Sequence, residues 1–313
     1  MSEYDDARTQ VSIQLALQQL EQGHPAGAIE SMRRVLSTDP ESAIAHAVLS
    51  LALQAARRPH SAAHEARLAL QLEPELPLAH AAMASAELLL GHHAQSRKHI
   101  DAAMELEPDA ASHRRLLAQL HLAQDRRKDA TAELEAALSL DPSDSDTLAS
   151  LSEVYLAQGK LDEAERFARD ALETTPEHQD ALIAMGRVLL RRGQLEDARE
   201  HALWALRANS SSPNALSLLV EIKARVNPFL GLWWRFNTAM NTLTVNRRIA
   251  VLLGGFVSYR VLETAATQAE QQGPAFVIQM AWLALCAYTW VGPVIFGRML
   301  QRELSTFRLR PGF

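Results

Sequence analysis

The chain has 313 residues, of which 48 % are hydrophobic and 22 % charged. That length allows a sizeable core and about two domains, and that composition excludes a disordered chain. A single cysteine, Cys286, excludes a disulfide framework and a cysteine-based zinc site, and the net charge of −6 gives no support to a nucleic-acid binder.

The first elements in chain order carry a repeat. Prolines stand at Pro40, Pro74, Pro108, Pro142 and Pro176, each 34 residues after the last, and Ser210 occupies the next slot. Twelve residues before each slot come Ala28, Ala62, Ser96, Ala130, Ala164 and Ala198; five before it come Val35, Ala69, Ala103, Ala137, Ala171 and Ala205. A third column reads Leu15, Leu49, Met83, Leu117, Leu151, Met185 and Leu219, with Ala16, Ser50, Ala84, Ala118, Ser152 and Gly186 beside the first six. Small residues facing large apolar ones let two helices approach closely. Gly23, Gly91, Gly159 and Gly193 break the chain between the two helices, and the proline ends the second.

This spacing resembles the tetratricopeptide repeat, a 34-residue helix–turn–helix. The resemblance covers six repeats over about 9–212, with residues 213–224 similar to the start of a capping helix. It implies an all-α, right-handed superhelical solenoid over 1–224, with a concave groove lined by the first helix of each pair. Two turns depart from the pattern, with Arg57 and Asp125 where glycine is usual. The usual tryptophan column reads Ser12, His46, His80, Arg114, Leu148 and Leu182.

By the same resemblance, the groove of the first three repeats presents Ile13, Leu17, Ile44, Leu51, Leu78 and Leu89, and that of the later repeats Arg115, Asp146, Glu153, Asp180, Arg187 and Arg191. An apolar end and a charged end suit an amphipathic helix or extended peptide from a protein partner. The leucines and isoleucines could equally be core between adjacent helices, which is the better reading for Leu20, Leu88, Leu122, Leu156 and Leu190. The Lys and Asn set with which chaperone-binding members hold a peptide carboxylate is missing.

No Walker, Rossmann, HExxH or GxSxG pattern occurs, so neither an enzyme nor a cofactor is expected. His60 and His64 stand four apart, a spacing that suits a metal but more often marks a solvated face. His92, His93 and His99 straddle a turn in the same way. His46 and His80, one repeat apart, read as stacking between helices.

The tail differs in kind. From Asn227 onward there are eight Arg, no Lys and three acids, a net +5 that leaves −11 for the rest, and the tail holds four of the five Trp and seven of the eight Phe. Two regions in different solvents are the simplest account. Residues 227–245 place Phe229, Leu232, Trp233, Phe236 and Met240 on one helical face, and Trp233, Trp234 and Arg235 suit a segment lying in the lipid headgroup zone. The alternative is a buried helix capping the last repeat. Over 246–313 the sequence predicts a transmembrane hairpin: a first span at 249–267, in which Arg260 and Glu263 pair or snorkel, and an uncharged second span at 275–297. Arg235, Arg247 and Arg248 precede the hairpin, and Arg298, Arg302, Arg308 and Arg310 follow it, so the positive-inside rule places both flanks and the solenoid in the cytoplasm. The acidic start of the chain does not resemble a signal peptide. The expected function is a scaffold that binds a protein partner and holds it at the cytoplasmic membrane. The alternative is an integral subunit of a membrane complex whose spans bind other spans.

Overall fold

A computed structural model describes residues 3–209, 212–226, 243–268 and 276–280, with single positions 240, 282, 283 and 286. The described residues are helical throughout and contain no strand. The chain divides into two compact units, Met1–Leu216 and Ser217–Phe313.

The first unit is a run of helix pairs. They are α1 (Glu3–Glu21) with α2 (Pro25–Thr38), α3 (Ala43–Ala55) with α4 (Pro59–Leu72), α5 (Pro77–Leu89) with α6 (His93–Leu106), α7 (Ala111–Ala123) with α8 (Arg127–Leu140), α9 (Ser145–Ala157) with α10 (Leu161–Thr174), and α11 (Gln179–Arg192) with α12 (Leu195–Ala208). The following helix, α13 (Pro213–Val226), runs across the division between the units.

Local chemistry sets these boundaries. Gly23, Gly91, Gly159 and Gly193 adopt φ of +71° to +81°, and Arg57 and Asp125 take φ +57° in the equivalent slots. The next amide then reaches back to close the preceding helix, as Arg58 does to the Leu53 carbonyl and Lys160 to that of Tyr155. Pro25, Pro59 and Pro77 sit in first turns, where a missing N–H costs nothing. Ser42 caps α3 by accepting from the Ala45 amide, and Asp144 caps α9 by accepting from that of Asp146.

The small-residue columns are the core. Ala28, Ala62, Ser96, Ala130, Ala164 and Ala198 are fully buried, as are Ala69, Ala103, Ala137, Ala171 and Ala205. Leu49, Met83, Leu117, Leu151 and Met185 of the third column are buried as well, whereas Leu15 is exposed, since no described helix precedes α1 to cover it. Odd-numbered helices pack on odd-numbered ones, α1 on α3, α3 on α5, α5 on α7 and α9 on α11, and so form one layer, with the even-numbered helices as the other.

Two long-range features were not legible in the repeat pattern. Asn209, at the end of α12, donates through Nδ2 to the carbonyl of Gly23 at 3.1 Å, so the first unit brings its first and sixth repeats together. A Cβ on Gly23 would lie 2.4 Å from that nitrogen. The second concerns the former tryptophan column. His46 does not stack on His80: it faces Glu65 at 2.7 Å and the Pro40 carbonyl at 3.1 Å, while His80 faces His99 at 3.1 Å and the Pro74 carbonyl at 2.9 Å. Arg114 repeats the reach, bonding Glu133 at 3.2 Å. Each polar residue spans its own repeat, from first helix to second.

The second unit contains α14 (Val245–Gln268), 24 residues long. Arg247–Gln268 within it contains an 18-residue window of mean hydropathy 1.4, none of it buried, so by length and composition the helix could cross a membrane. Arg260 bonds Glu263 at 2.6 Å, one of the two arrangements their spacing allows. Tyr259 stacks on Trp282 with ring centroids 4.9 Å apart, and Phe256 lies 6.3 Å from the same indole. Arg247 and Arg248 sit in the first turn of α14, where Arg248 bonds the Leu243 carbonyl. Trp233, Trp234, Arg235 and most of the second span lie outside the described residues.

Candidate functional site

The open face of the odd-numbered helices is where partners can be met. Its positions recur along each helix, so the exposed side chains line up across repeats. Ile44 on α3 is 41 % exposed and Leu89 on α5 is 56 % exposed. Ile13, Leu17, Leu51 and Leu78 are half-buried and pack against the core cluster around Ala16, Ala45 and Val48. The predicted apolar set therefore divides into two open residues and four that serve as core margin.

Leu122 goes the other way. Its column is buried at Leu156 and Leu190 and half-buried at Leu20 and Leu88, yet Leu122 is 38 % exposed. The contact of α7 with α9 runs through Arg115 and Ala118, and Leu122, farther along α7, lies outside it and stays open. Sequence reasoning assigned Leu122 to the core because the spacing between α7 and α9 is not written in either helix.

The charged end is a connected network. Arg115 on α7 holds Asp144 through Nη1 and Asp146 through Nη2, the latter at 2.9 Å. His178 donates from Nε2 to Asp146 at 3.0 Å while its Nδ1 accepts from the Ala181 amide, which fixes the tautomer and caps α11. That donated hydrogen bond, with Arg115 nearby, holds the Asp146 carboxyl below the usual carboxylate range. Asp180 moves the opposite way, because desolvation in the wall and the neighbouring Asp146 charge both favour its protonated form. Arg187 pairs with Glu153 at 2.6 Å across one repeat, and Arg191 is exposed. These pairs bridge successive odd helices, so the wall is held in shape before any partner arrives.

On this open face Arg115 engages Asp144 and Asp146, and Arg187 engages Glu153. Among the described residues no group of three potential metal ligands comes together.

Stacked two-helix units with an open, pre-organised inner face define a helical-repeat interaction protein. A tetratricopeptide repeat family model matches residues 13–79, 81–145, 149–213 and 183–222, more than half of the chain, and a second matches 121–174. The chain belongs to the tetratricopeptide repeat family, whose members are protein-interaction scaffolds and typically not enzymes. No curated protein matches it. Among solved structures, it is similar to a tetratricopeptide repeat protein from Parabacteroides merdae, with a TM-score of 0.56, 15 % identity, and coverage of 69 % of this chain and 84 % of that one. It is also similar to a thermophilic protein of the family from Thermus thermophilus, with a TM-score of 0.53, 22 % identity, and coverage of 58 % of this chain and 99 % of that one. At these identities the likeness speaks for the fold.

Proposed function

We propose that the chain is a membrane-tethered scaffold whose solenoid binds a peptide or helix of a protein partner along its inner face. The observation that carries the binding half is the pairing of open apolar residues, Ile44, Leu89 and Leu122, with the braced charged wall of Arg115, Asp146, Arg187 and Glu153 on one face. Each apolar anchor buried by a partner would contribute roughly 1.5–3 kcal/mol, and the charges set rate and specificity. The tether rests on α14 and on the apolar run that follows it. Under this reading the lipid bilayer is the second partner, the solenoid and the C-terminus face the cytoplasm, and Trp233, Trp234, Arg235, Arg247 and Arg248 lie at the membrane surface.

Two experiments test the halves separately. Ile44→Asp combined with Leu89→Asp should leave melting unchanged and abolish recovery of the partner from native membranes; retained recovery would remove these residues from the site. For the tether, Cys286→Ser with Gln271→Cys should react with an impermeant maleimide in intact cells. Labelling only after lysis would reject the orientation, and recovery of the chain in the soluble fraction would reject the tether.

A second reading, an integral subunit of a membrane complex, is favoured by the Arg260–Glu263 pair and by the aromatic contact of Tyr259 with Trp282. An ion pair on an apolar helix is costly in lipid unless another protein surface covers it. Replacing both charges with Gln and Met would abolish assembly under this reading and leave partner binding intact under the first.

A further inference from the structure

The layer of even-numbered helices holds a cavity of about 390 Å³ between the first two repeats. Its floor is apolar, made by the buried faces of Leu49 and Leu53 on α3. Its rim is basic: Arg33 comes from α2, and Arg58, His60 and His64 from the start of α4, with the Ser61 hydroxyl among them. One acid, Glu65, lines it, and that carboxylate is engaged by His46 at 2.7 Å. The side chains of Arg33, Arg58, His60, Ser61 and His64 make no hydrogen bond or ion pair among the described residues.

The other repeats serve as internal controls, because the same positions recur every 34 residues. At the second junction Leu53 is replaced by Glu87, which takes His92 at 2.6 Å. At the third, Asp101 stands in the place of Arg33, and Arg126 is tied to Asp129 at 2.7 Å. At the fourth, Glu135 takes that place and Tyr155, in the Leu53 slot, donates to it at 2.7 Å. At the fifth, Arg169 is held by Glu165 at 2.5 Å. Each later junction carries an acid or a paired cation at these positions; at the first the one acid in the lining, Glu65, is taken by His46, and Arg33 and Arg58 have no ion pair among the described residues.

We propose that this cavity is a binding site for a small organic phosphate, with the phosphoryl group held by Arg33 and Arg58 and the carbon body resting on Leu49 and Leu53. Guanidinium forks match phosphate oxygens in geometry and charge, and imidazole and hydroxyl groups complete such a shell. A volume of this order is that of a small-molecule site and leaves little room for a folded partner. The two histidines, whose spacing alone would suit a metal, sit beside two permanent cations that repel one. The site lies in the other helix layer from the candidate groove and does not depend on it.

Isothermal titration of the purified full chain with phenyl phosphate tests the assignment, with inorganic phosphate, benzoate and the soluble lipid analogue dibutyryl phosphatidylglycerol as comparisons. The expected result is saturable one-to-one binding of phenyl phosphate, tighter than inorganic phosphate or benzoate, and weakened about tenfold or more by Arg33→Gln with Arg58→Gln. Both arginines are exposed, so the double variant should melt as the parent does; Arg97→Gln, outside the cavity, should bind like the parent. Leu53→Glu, which copies the second junction, should also abolish binding. Failure of phenyl phosphate to bind, or equal binding by the double variant, would overturn the proposal. Tighter binding of the phosphodiester analogue would overturn the soluble-ligand assignment in favour of a lipid headgroup.

Discussion

Repeats 2 and 4 use one frame and fill it differently. In repeat 2 the inner helix α3 buries Ala45 and Leu53, and His46 finds oxygen partners for both ring nitrogens. In repeat 4 the equivalent positions on α7 are His113, His121 and Arg114. His113 and His121 are only 4 % and 6 % exposed, yet the Nδ1 of each and the Nε of Arg114 lack a partner. Helix α3 packs against α1 and α5, whereas α7 packs on α5 and meets α9 chiefly through side chains, Ala118 in a shared core and Arg115 on Asp144 and Asp146. A repeat frame thus tolerates polar groups at core positions, and in the same repeat Leu122 is open to a partner.

Overpacking a tight crossing would break the comparison most severely. Ala137, on α8 of repeat 4, is fully buried at a small-residue crossing. Ala137→Trp should cost about 3 kcal/mol or more, because the added ring exceeds the volume changes that already cost about 1–3 kcal/mol. Hydrogen exchange should show α7 and α8 opening while repeat 2 stays protected. Unchanged protection in α8 would mean that repeat 4 is loose throughout and not only at its polar positions.

Acid should have the next largest effect. Burial pushes the His113 and His121 imidazoles below their ordinary value of 6.5, against the opposing pull of Glu107 on His113, while Arg126 and Arg97 add to the push on His121 and Asp129 and Glu133 resist it. The unfolded chain therefore binds these protons more readily. Their stabilising contribution is fully present above pH 6.5 and is lost as pH falls from there through the lower folded-state values, with a slope of up to about 1.4 kcal/mol per pH unit for each proton. Amides of α7 should exchange faster at about pH 5.5 than at about pH 7.5, after correction for intrinsic rates, and amides of α3 should change less. His121→Leu, which restores the repeat 2 residue, should flatten the difference. An equal response of α3 and α7 would dissolve the contrast.

A smaller effect, and a stabilising one, is expected at the neighbouring repeat. Ser96 stands in an otherwise alanine column, with its hydroxyl buried and unpartnered. Ser96→Ala should stabilise by about 1 kcal/mol, as removal of a buried unsatisfied group does. A denaturant midpoint that falls instead would show that the hydroxyl has a bound water. The smallest effect should be at the repeat 2 turn, where Arg57 adopts φ +57° in a slot that glycine fills in four repeats. Arg57→Gly should stabilise by about 0.5–1 kcal/mol by removing the left-handed penalty, measurable as a raised midpoint with an unchanged slope.

Helix boundaries and core columns were legible because they depend on short-range physics. A proline or a left-handed residue ends a helix wherever it stands, and the 34-residue spacing placed Ala62, Ala130 and Ala164 at the crossings before any contact was seen. The spacing of Arg260 and Glu263, three apart on one helix, allowed a pair or two snorkelling side chains, and the structure shows the pair. Contacts that depend on how one repeat is set against the next were not legible. The bridge from Arg187 to Glu153, the cavity joining Arg33 to Arg58, and the meeting of Gly23 with Asn209 across 186 residues all depend on that setting.

The sequence by itself determined the repeat, its helices, its small-residue crossings and a tail of different composition, since propensity and periodicity act over a few residues. Only the tertiary structure decided which apolar groove residues are open, Ile44, Leu89 and Leu122, and which are core margin, Ile13, Leu17, Leu51 and Leu78. It alone decided that Arg33 and Arg58 of the first junction are left unpaired among the described residues, while Arg169 of the fifth is held by Glu165. Burial and charge compensation are sums over neighbours supplied by other repeats, and a small rotation of one repeat on the next changes every term in those sums.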